Sequence, residues 1–368
     1  MIFSKEQPFY IRLSFKLILI LLVGMIIYLE KVVLVPLYFS VLIAILMLPL
    51  SNFLESSKFP KALACLISVL LAYIVIGAIV WVLSSQLTVF LKDIPSIKSH
   101  ITEHFITVQT WVEQKFNIST EQQSVLINDA KQGVRFPGSS YIGQTFLTLS
   151  QTILLTVLVA IYSFLILYYR HLIKKVIFAL YSNTHQKKVG EVLQESKHIV
   201  QKYMMGLVIE MLVVATANSA AFLMIGIKYA IFLGVFAAIL NIIPYIGIFT
   251  GMLFTVLVTL STSASMHQIL WIVISLEIVH IIDANFLLPR IVGSRVRINA
   301  LMTILGAVAG GSLIGIPGIF LALPTIAILK IIFDRVEDLK PWGMLLGDES
   351  PPAPLVTRIR KMTAKRKK

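Results

Sequence analysis

Charged residues are scarce in this sequence. Only 14% of its 368 residues are charged, whereas 57% are hydrophobic, and the mean hydropathy is +0.88. A soluble domain has about 25% charged and roughly 45–50% apolar residues. Because so little polar material cannot cover a water-soluble globule, the composition excludes an ordinary soluble domain and predicts a chain surrounded largely by lipid.

Cysteine is nearly absent as well. Cys65 is the only cysteine, so no disulfide forms within the chain, and its apolar neighbours predict a buried, inert thiol. The sequence contains no cysteine pair, no HExxH motif and no Walker A motif. We therefore expect no metal site, no cofactor and no nucleotide-driven step, and we consider a membrane enzyme a weak alternative.

Acidic residues are the scarcer of the charged types. The chain has 18 Asp and Glu against 32 Lys and Arg, which gives a formal net charge of +14. The basic residues fall in a few loops and in an acid-free stretch at 358–368 rather than along one continuous stripe. This distribution predicts contact with anionic lipid at the cytoplasmic membrane surface and no binding of nucleic acid.

Long apolar runs dominate what is present. A helix needs about 20 apolar residues to cross the hydrocarbon core. Six runs are of suitable length, at approximately 12–29, 32–53, 61–91, 145–169, 204–226 and 268–289. The first follows a basic start that superficially resembles a signal peptide, but no small-residue cleavage pattern follows it. We therefore predict a retained membrane helix there.

The polar segments between the runs predict the orientation. Residues 170–202 are strongly basic, so the positive-inside rule makes them cytoplasmic, whereas the charge-balanced segment 92–144 falls outside as amphipathic helix. Both termini are then cytoplasmic. We divide the chain into three N-terminal spans, an extracytoplasmic segment, a fourth span with a basic cytoplasmic segment, a transport core and a basic tail: 1–91, 92–144, 145–203, 204–333 and 334–368.

Two further apolar stretches, 229–262 and 298–333, are too long for a single span and carry helix breakers near their middles. As one helix the first would be about 50 Å long, against a hydrocarbon core of about 30 Å. The predicted break residues are Asn241, Pro244, Tyr245 and Gly247 in the first stretch and Gly310, Gly311, Gly315, Pro317 and Gly318 in the second.

The segment 290–297, which lies between the sixth apolar run and the second broken stretch, holds three arginines and no acid. If both broken stretches crossed the membrane this segment would lie outside, against the positive-inside rule; if both are hairpins it lies in the cytoplasm. We therefore favour an all-α membrane protein with about eight hydrophobic segments, six of them transmembrane helices and two oppositely entering re-entrant hairpins. Eight full spans are the alternative. The breaks are candidates for a solute path, or else kinks and GxxxG contacts that serve packing.

Ionisable residues inside apolar helices are costly and usually face the bundle interior or an aqueous path. Glu210, Glu277 and Asp283 are the candidates for ion coupling, and each could instead belong to a polar cluster that holds helices together. At about 100° per residue, Glu277, His280 and Asp283 share an arc of roughly 120°. The supporting candidates are Asn218, His280, Asn285, Pro289 and Arg290.

Three ordered motifs carry a family resemblance. The first runs from Gly234 to Gly251 and includes the Asn241-x-Ile-Pro-Tyr-x-Gly247 pattern; the second runs from Asp283 through Asn285 and Pro289 to Gly293; the third runs from Gly310-Gly311 to Pro324. Together they resemble the autoinducer-2 exporter family over nearly the whole chain. Ile248 departs from the pattern, since many members carry proline there.

The resemblance implies an inner-membrane transporter, often oligomeric. Its members are assigned either the autoinducer-2 signal or sodium and lithium exchanged for protons. We therefore predict a secondary transporter that exports a small solute, with a sodium (lithium)/proton antiporter as the alternative and a non-transporting membrane scaffold as the alternative of another class. The expected partners are the lipid bilayer, a small-molecule or cation substrate and a second copy of the chain.

Overall fold

The computed structural model describes residues 8–93, 109–110, 113–115, 141–242, 246–262, 266–287 and 298–348. Within these ranges the regular structure is helical, apart from one isolated β-bridge between Ile298 and Gly347. The predicted all-α membrane protein is therefore confirmed. Most of the segment 92–144, the break residues Pro244 and Tyr245, and Pro289 and Arg290 lie outside the described residues.

The described helices match the apolar runs closely. They are α1 (Phe9–Leu29), α2 (Lys31–Ser56), α3 (Lys61–Lys92), α4 (Tyr141–Tyr168), α5 (Arg170–Ala179), α6 (Asn183–Ile225), α7 (Ala230–Asn241), α8 (Ile246–Thr262), α9 (Met266–Ile282, continued by a π-helical turn Asp283–Leu287), α10 (Ala300–Ile314), α11 (Ile316–Arg335) and α12 (Lys340–Leu346).

Five of these helices are long and apolar enough to cross a membrane: α2, α3, α6, α9 and α11. A sixth crossing is possible if α4 and α5 count as one broken span. The apolar parts of α1, α7, α8 and α10 are shorter. Helix α6 is 43 residues long because the polar segment that precedes its apolar run is helical too.

The chain divides into two compact units. One contains Met1–Tyr38, Tyr169–Met204 and Gly293–Lys368, and the other contains Phe39–Tyr168 and Met205–Val292. We call the first the α10–α11 unit and the second the α7–α8 unit, after the helix pair that each contains.

The first broken stretch forms an antiparallel pair of helices, α7 and α8, within the α7–α8 unit. Gly247 lies so close to the carbonyl oxygen of Leu240 that a Cβ at Gly247 would collide with it. Farther from the break, a Cβ on Gly251 would lie 3.4 Å from the Cα of Ala237. The pair packs on a core that includes Phe222, Leu233 and Ile272.

The second broken stretch forms another antiparallel pair, α10 and α11, within the α10–α11 unit. The chain reverses at Gly315, whose φ of 72° and ψ of −152° suit glycine almost alone. The backbones of Gly310 and Gly318 touch, with no space for a Cβ on either residue. Pro317 lies in the first turn of α11, where a proline fits a helix start.

Both broken stretches are thus helical hairpins rather than kinked helices. At about 1.5 Å per residue, α7, α8 and α10 are roughly 18, 26 and 22 Å long, shorter than a hydrocarbon core of about 30 Å. With 20 residues, α11 alone reaches that length. How many segments are re-entrant, and whether the hairpins enter from opposite sides, stays a prediction.

Cys65 is fully buried, as predicted. It packs in a cluster with Ala44, Val69 and Leu167, and its Sγ lies 3.5 Å from the Oγ of Ser51.

Candidate functional site

Two buried carboxylates of the α7–α8 unit share one amide nitrogen. The Nδ2 of Asn241 donates to Asp283 Oδ2 at 2.9 Å and to Glu210 Oε1 at 3.4 Å. Glu210 and Asp283 are each only 5% exposed. Three residues that the sequence singled out separately, from α6, α7 and the π-helical turn after α9, therefore form one cluster.

The cluster contains hydrogen-bond acceptors that are not used within the described structure. Among the described residues, Glu210 Oε2, Asp283 Oδ1 and Asn218 Oδ1 are buried and have no hydrogen-bond partner. An unpaired buried acceptor costs free energy unless water or a ligand satisfies it, and an unpaired buried carboxylate costs more. A proton, a cation or a hydrogen-bond donor is therefore the chemistry that this cluster favours.

A small pocket of about 30 Å³ opens beside the cluster. This volume admits one or two water molecules or an ion of similar size. The pocket is lined by Val214, Asn218, Ala237, Asn241, Ile248, Gly251, Met252, Leu276, Val279, His280 and Asp283. Among these lining residues there is no Lys or Arg, so the local charge is set by the acids and by His280.

Helical periodicity explains how four helices supply this lining. On α6, the lining residues Val214 and Asn218 lie on the same face as Glu210, since the three recur every four residues. Ile248, Gly251 and Met252 follow the same rule on α8, and Leu276, Val279, His280 and Asp283 do so on α9 and its π-helical turn. Gly251 gives α7 a close approach to α8, which helps to bring Asn241 to the acids.

The predicted arc of Glu277, His280 and Asp283 is only partly inward. Asp283 is buried, His280 is half-buried with its Nδ1 unpaired within the described structure, and Glu277 is exposed. The buried face of α9 is centred on Ile272, Leu276 and Asp283, and Glu277 lies about 120° from that centre. Asn285 is exposed and donates to the carbonyl of Ile281 in its own helix.

The glycines predicted as hairpin tips have packing contacts in the structure. Gly247 lies against Leu240, Gly310 against Gly318, and Gly311 against Ile319, where a Cβ would be 3.0 Å from Cγ1. Gly315 provides the reversal. The packing interpretation is therefore supported for Gly247, Gly310, Gly311 and Gly318, whereas an added Cβ on Gly315 would have nothing within 4 Å.

One polar contact had no signal in the sequence. At the C-terminal end of α3, Asp93 forms an ion pair with Lys228 at 2.5 Å and accepts a hydrogen bond from the Tyr229 hydroxyl. Bonding by Lys228, then by Tyr229, lowers the pKa of Asp93, and the Asp93 bond raises the pKa of Lys228. These partners are 135 and 136 residues apart in the chain, so only the tertiary fold reveals the contact.

The buried Ser219 hydroxyl was also overlooked. It follows Asn218 in the apolar half of α6, lies beside Gly234 of α7, and has no partner among the described residues. A polar pair in an apolar helix was the signal that could have identified it. In the described part of the chain, no group of three or more His, Cys, Asp and Glu side chains is placed to hold a metal ion.

Five long apolar helices, together with a buried, charged cluster within the α7–α8 unit, are typical of multi-pass membrane proteins of the transporter class. Comparison with known proteins narrows this class. The model of the AI-2E family transporters matches residues 17–338, so the chain belongs to that family. The family resemblance in the three sequence motifs is thereby confirmed.

Three relatives, each named "Putative transport protein", illustrate how far sequences diverge within the family. YrrI of Bacillus subtilis strain 168 is 24% identical over 308 residues, covering 82% of this chain and 86% of its own. YueF of the same organism is 27% identical, covering 77% and 79%. YhhT of Escherichia coli strain K12 is 23% identical, covering 87% and 89%.

Proposed function

We propose that this membrane transporter is a secondary transporter that exports a small solute, with Glu210 and Asp283 carrying the coupling proton or cation. The observation that supports this proposal is the pair of buried carboxylates held on the single amide of Asn241. Two negative charges this close in a low-dielectric site repel each other strongly. The site therefore requires a compensating positive charge, and exchange of that charge is what coupling needs.

The position of Asn241 suggests how binding and movement are linked. Asn241 is the last residue of α7, at the turn of the α7–α8 hairpin, whereas the acids belong to α6 and to the end of α9. A shift of the hairpin would remove the amide from both carboxylates and change their need for a positive charge. Proton or cation loading and hairpin position would then be energetically coupled.

A cation/proton antiporter is the second candidate. The pocket beside the acids has a mostly apolar lining that includes the Asp283 carboxylate and the amides of Asn218 and Asn241, and it has the size of one small ion or one or two waters. Carboxylate and carbonyl oxygens are the ligands that hard cations prefer. Under this proposal the cation is the substrate itself, and the same two acids alternate between cation and proton.

Transport assays in everted membrane vesicles test the proposal. A panel of solutes is offered with and without imposed proton and sodium gradients, for the wild type, Glu210→Gln and Asp283→Asn. We expect either variant to reduce gradient-driven flux by at least about tenfold, because each removes one of the two exchangeable charges. Glu191→Gln is the matched control, since Glu191 is an exposed acid on the same helix as Glu210.

The outcome separates the candidates. The exporter is supported if the acid variants lose solute accumulation and if sodium or lithium does not change the proton gradient in wild-type vesicles. The antiporter is supported if addition of sodium or lithium to wild-type vesicles releases protons. Unchanged flux in both acid variants would reject the coupling role. If Pro244→Ala and both acid variants leave the cellular phenotype intact, the scaffold alternative is favoured instead.

We also propose the bacterial inner membrane as the location, with both termini in the cytoplasm and a homo-oligomer as the assembled form. The basic segment 170–202 and the basic residues at both ends of the sequence support the orientation.

The exposed Glu277 is expected to be dispensable for coupling, and Glu277→Gln in the same vesicle assay tests this.

A further inference from the structure

Helix α5 has two chemically different sides. On one side the apolar residues Leu172, Ile173, Val176 and Ile177 form a stripe, which continues through Leu180 beyond the helix end. At about 100° per residue they cover an arc of roughly 140°. The remaining arc carries Arg170, His171, Lys174 and Lys175, and α5 contains no acidic residue.

The apolar stripe is uncovered. Leu172, Val176 and Leu180 are 55%, 50% and 76% exposed, and no residue of α5 is buried. Water is a poor environment for a continuous apolar stripe of this kind. The stripe therefore needs a partner outside the fold of its own unit.

On the opposite side of α5, α6 contacts the helix at Phe178, whereas His171, Lys174 and Lys175 are exposed. The Phe178 ring lies beside Gly190, where an added Cβ would be 3.2 Å away, and Gln186 Nε2 donates to the Phe178 carbonyl at 3.4 Å. Phe178 projects about 180° from the middle of the apolar stripe. Contact with α6 therefore holds α5 with its apolar stripe turned away from α6.

We propose that α5 lies in the surface of the anionic cytoplasmic leaflet, with its apolar stripe among the lipid chains and its basic residues at the headgroups. Two observations select lipid over a protein partner. The helix begins one residue after the apolar stretch Ile153–Tyr168 of α4 and does not continue it in a straight line, so α5 is tethered to an apolar helix. Its charge is wholly basic, which complements anionic headgroups.

The test measures how deeply a single label lies in the bilayer. The full chain is used in lipid vesicles, with the native cysteine removed by Cys65→Ser. An environment-sensitive fluorophore is attached through Val176→Cys on the apolar stripe or, as the matched control, through His171→Cys on the basic side. Vesicles are made of phosphatidylcholine alone or enriched in phosphatidylglycerol, with brominated lipid or aqueous iodide as quenchers. No transport activity is needed, so the result is independent of the proposed function.

We expect brominated lipid to quench the label at position 176 several-fold more than the label at position 171, and iodide to show the reverse. Phosphatidylglycerol should increase the lipid quenching at position 176, and Lys174→Gln with Lys175→Gln should remove that increase. Iodide quenching at both positions would overturn the proposal. So would protection of position 176 from both quenchers, which indicates a second copy or another protein, or a lack of any phosphatidylglycerol effect.

Discussion

At the residue scale, one amide determines whether the two acids can coexist. Asn241 uses its two amide hydrogens on Glu210 and Asp283, and the other oxygen of each acid is left without a protein partner within the described structure. The amide can neither supply a full charge nor release a proton at physiological pH. It can therefore orient both acids without replacing the cation or proton that they require.

Replacing Asn241 by leucine should destabilise the protein by about 1–3 kcal/mol, because it leaves two buried carboxylates without their shared donor. Thermal unfolding in detergent at neutral pH measures the effect. Asn285→Leu is the control, since that side chain is exposed and bonds only within its own helix. Equal unfolding temperatures for the two variants would show that the Asn241 bonds contribute nothing to stability.

The contact between Asp93 and Lys228 predicts a pH dependence. Bonding by Lys228 and Tyr229 lowers the pKa of Asp93 in the folded protein, so this contribution is present above the usual aspartate pKa of about 3.9 and is lost as the pH falls below it. Lys228 has a raised pKa, so its contribution is present below about 10.4 and is lost at higher pH.

The difference in unfolding temperature between the wild type and Asp93→Asn isolates this contact from other titrating groups. We expect a positive difference at pH 7 that shrinks below pH 4 as Asp93 becomes protonated. Asp338→Asn, at an exposed acid that forms no ion pair within the described part of the chain, serves as the comparison and should show no such trend. A difference that persists unchanged at low pH contradicts the assignment.

At the element scale, backbone contact at glycines explains why the broken stretches fold as hairpins. Gly247 meets Leu240 in one pair, and Gly310 meets Gly318 in the other. A side chain at these positions would separate the two helices, whose remaining contacts are apolar. The glycines are therefore requirements of helix packing, whatever the hairpins do in transport.

Gly247→Ala should cost about 1–3 kcal/mol, because the added methyl group collides with the Leu240 carbonyl and overpacks the hairpin. Gly77→Ala is the matched control within the same unit, since nothing lies within 4 Å of its added Cβ. Alanine there should be neutral or stabilising by up to about 1 kcal/mol in a helix interior. Thermal unfolding in detergent measures the stability of the two variants. Similar unfolding curves would mean that the hairpin accommodates the added methyl group without loss of stability.

Hydropathy predicted the positions of the helices better than it predicted the contacts between them. It located each apolar helix within a few residues but missed the first half of α6, because residues 183–203 are polar and carry no hydropathy signal. Polar residues in apolar runs singled out Glu210, Asn218, Asn241 and Asp283, but the sequence did not predict that they lie at or beside one pocket. Spacing alone could not show that Glu277 faces outward, nor that Asp93 meets Lys228, since both depend on how the helices pack.

At the scale of the whole molecule, the open question is which side of the membrane each segment occupies. With six spans and two hairpins, the arginine-rich segment 290–297 lies in the cytoplasm; with eight spans it lies outside. Segment 92–144 is outside in both arrangements. The lengths of α7, α8 and α10 favour the hairpins, but α11 is long enough to cross alone. Helix length therefore does not decide the matter by itself.

Paired cysteine labelling in intact cells distinguishes the two arrangements. In a Cys65→Ser background, Ser294→Cys should resist an impermeant maleimide from outside and react only after permeabilisation, because three arginines hold that segment in the cytoplasm. Ser119→Cys, in the segment that both arrangements place outside, should react in intact cells and so verifies access. External labelling at both positions would contradict the arrangement of six spans and two re-entrant hairpins and would favour eight spans.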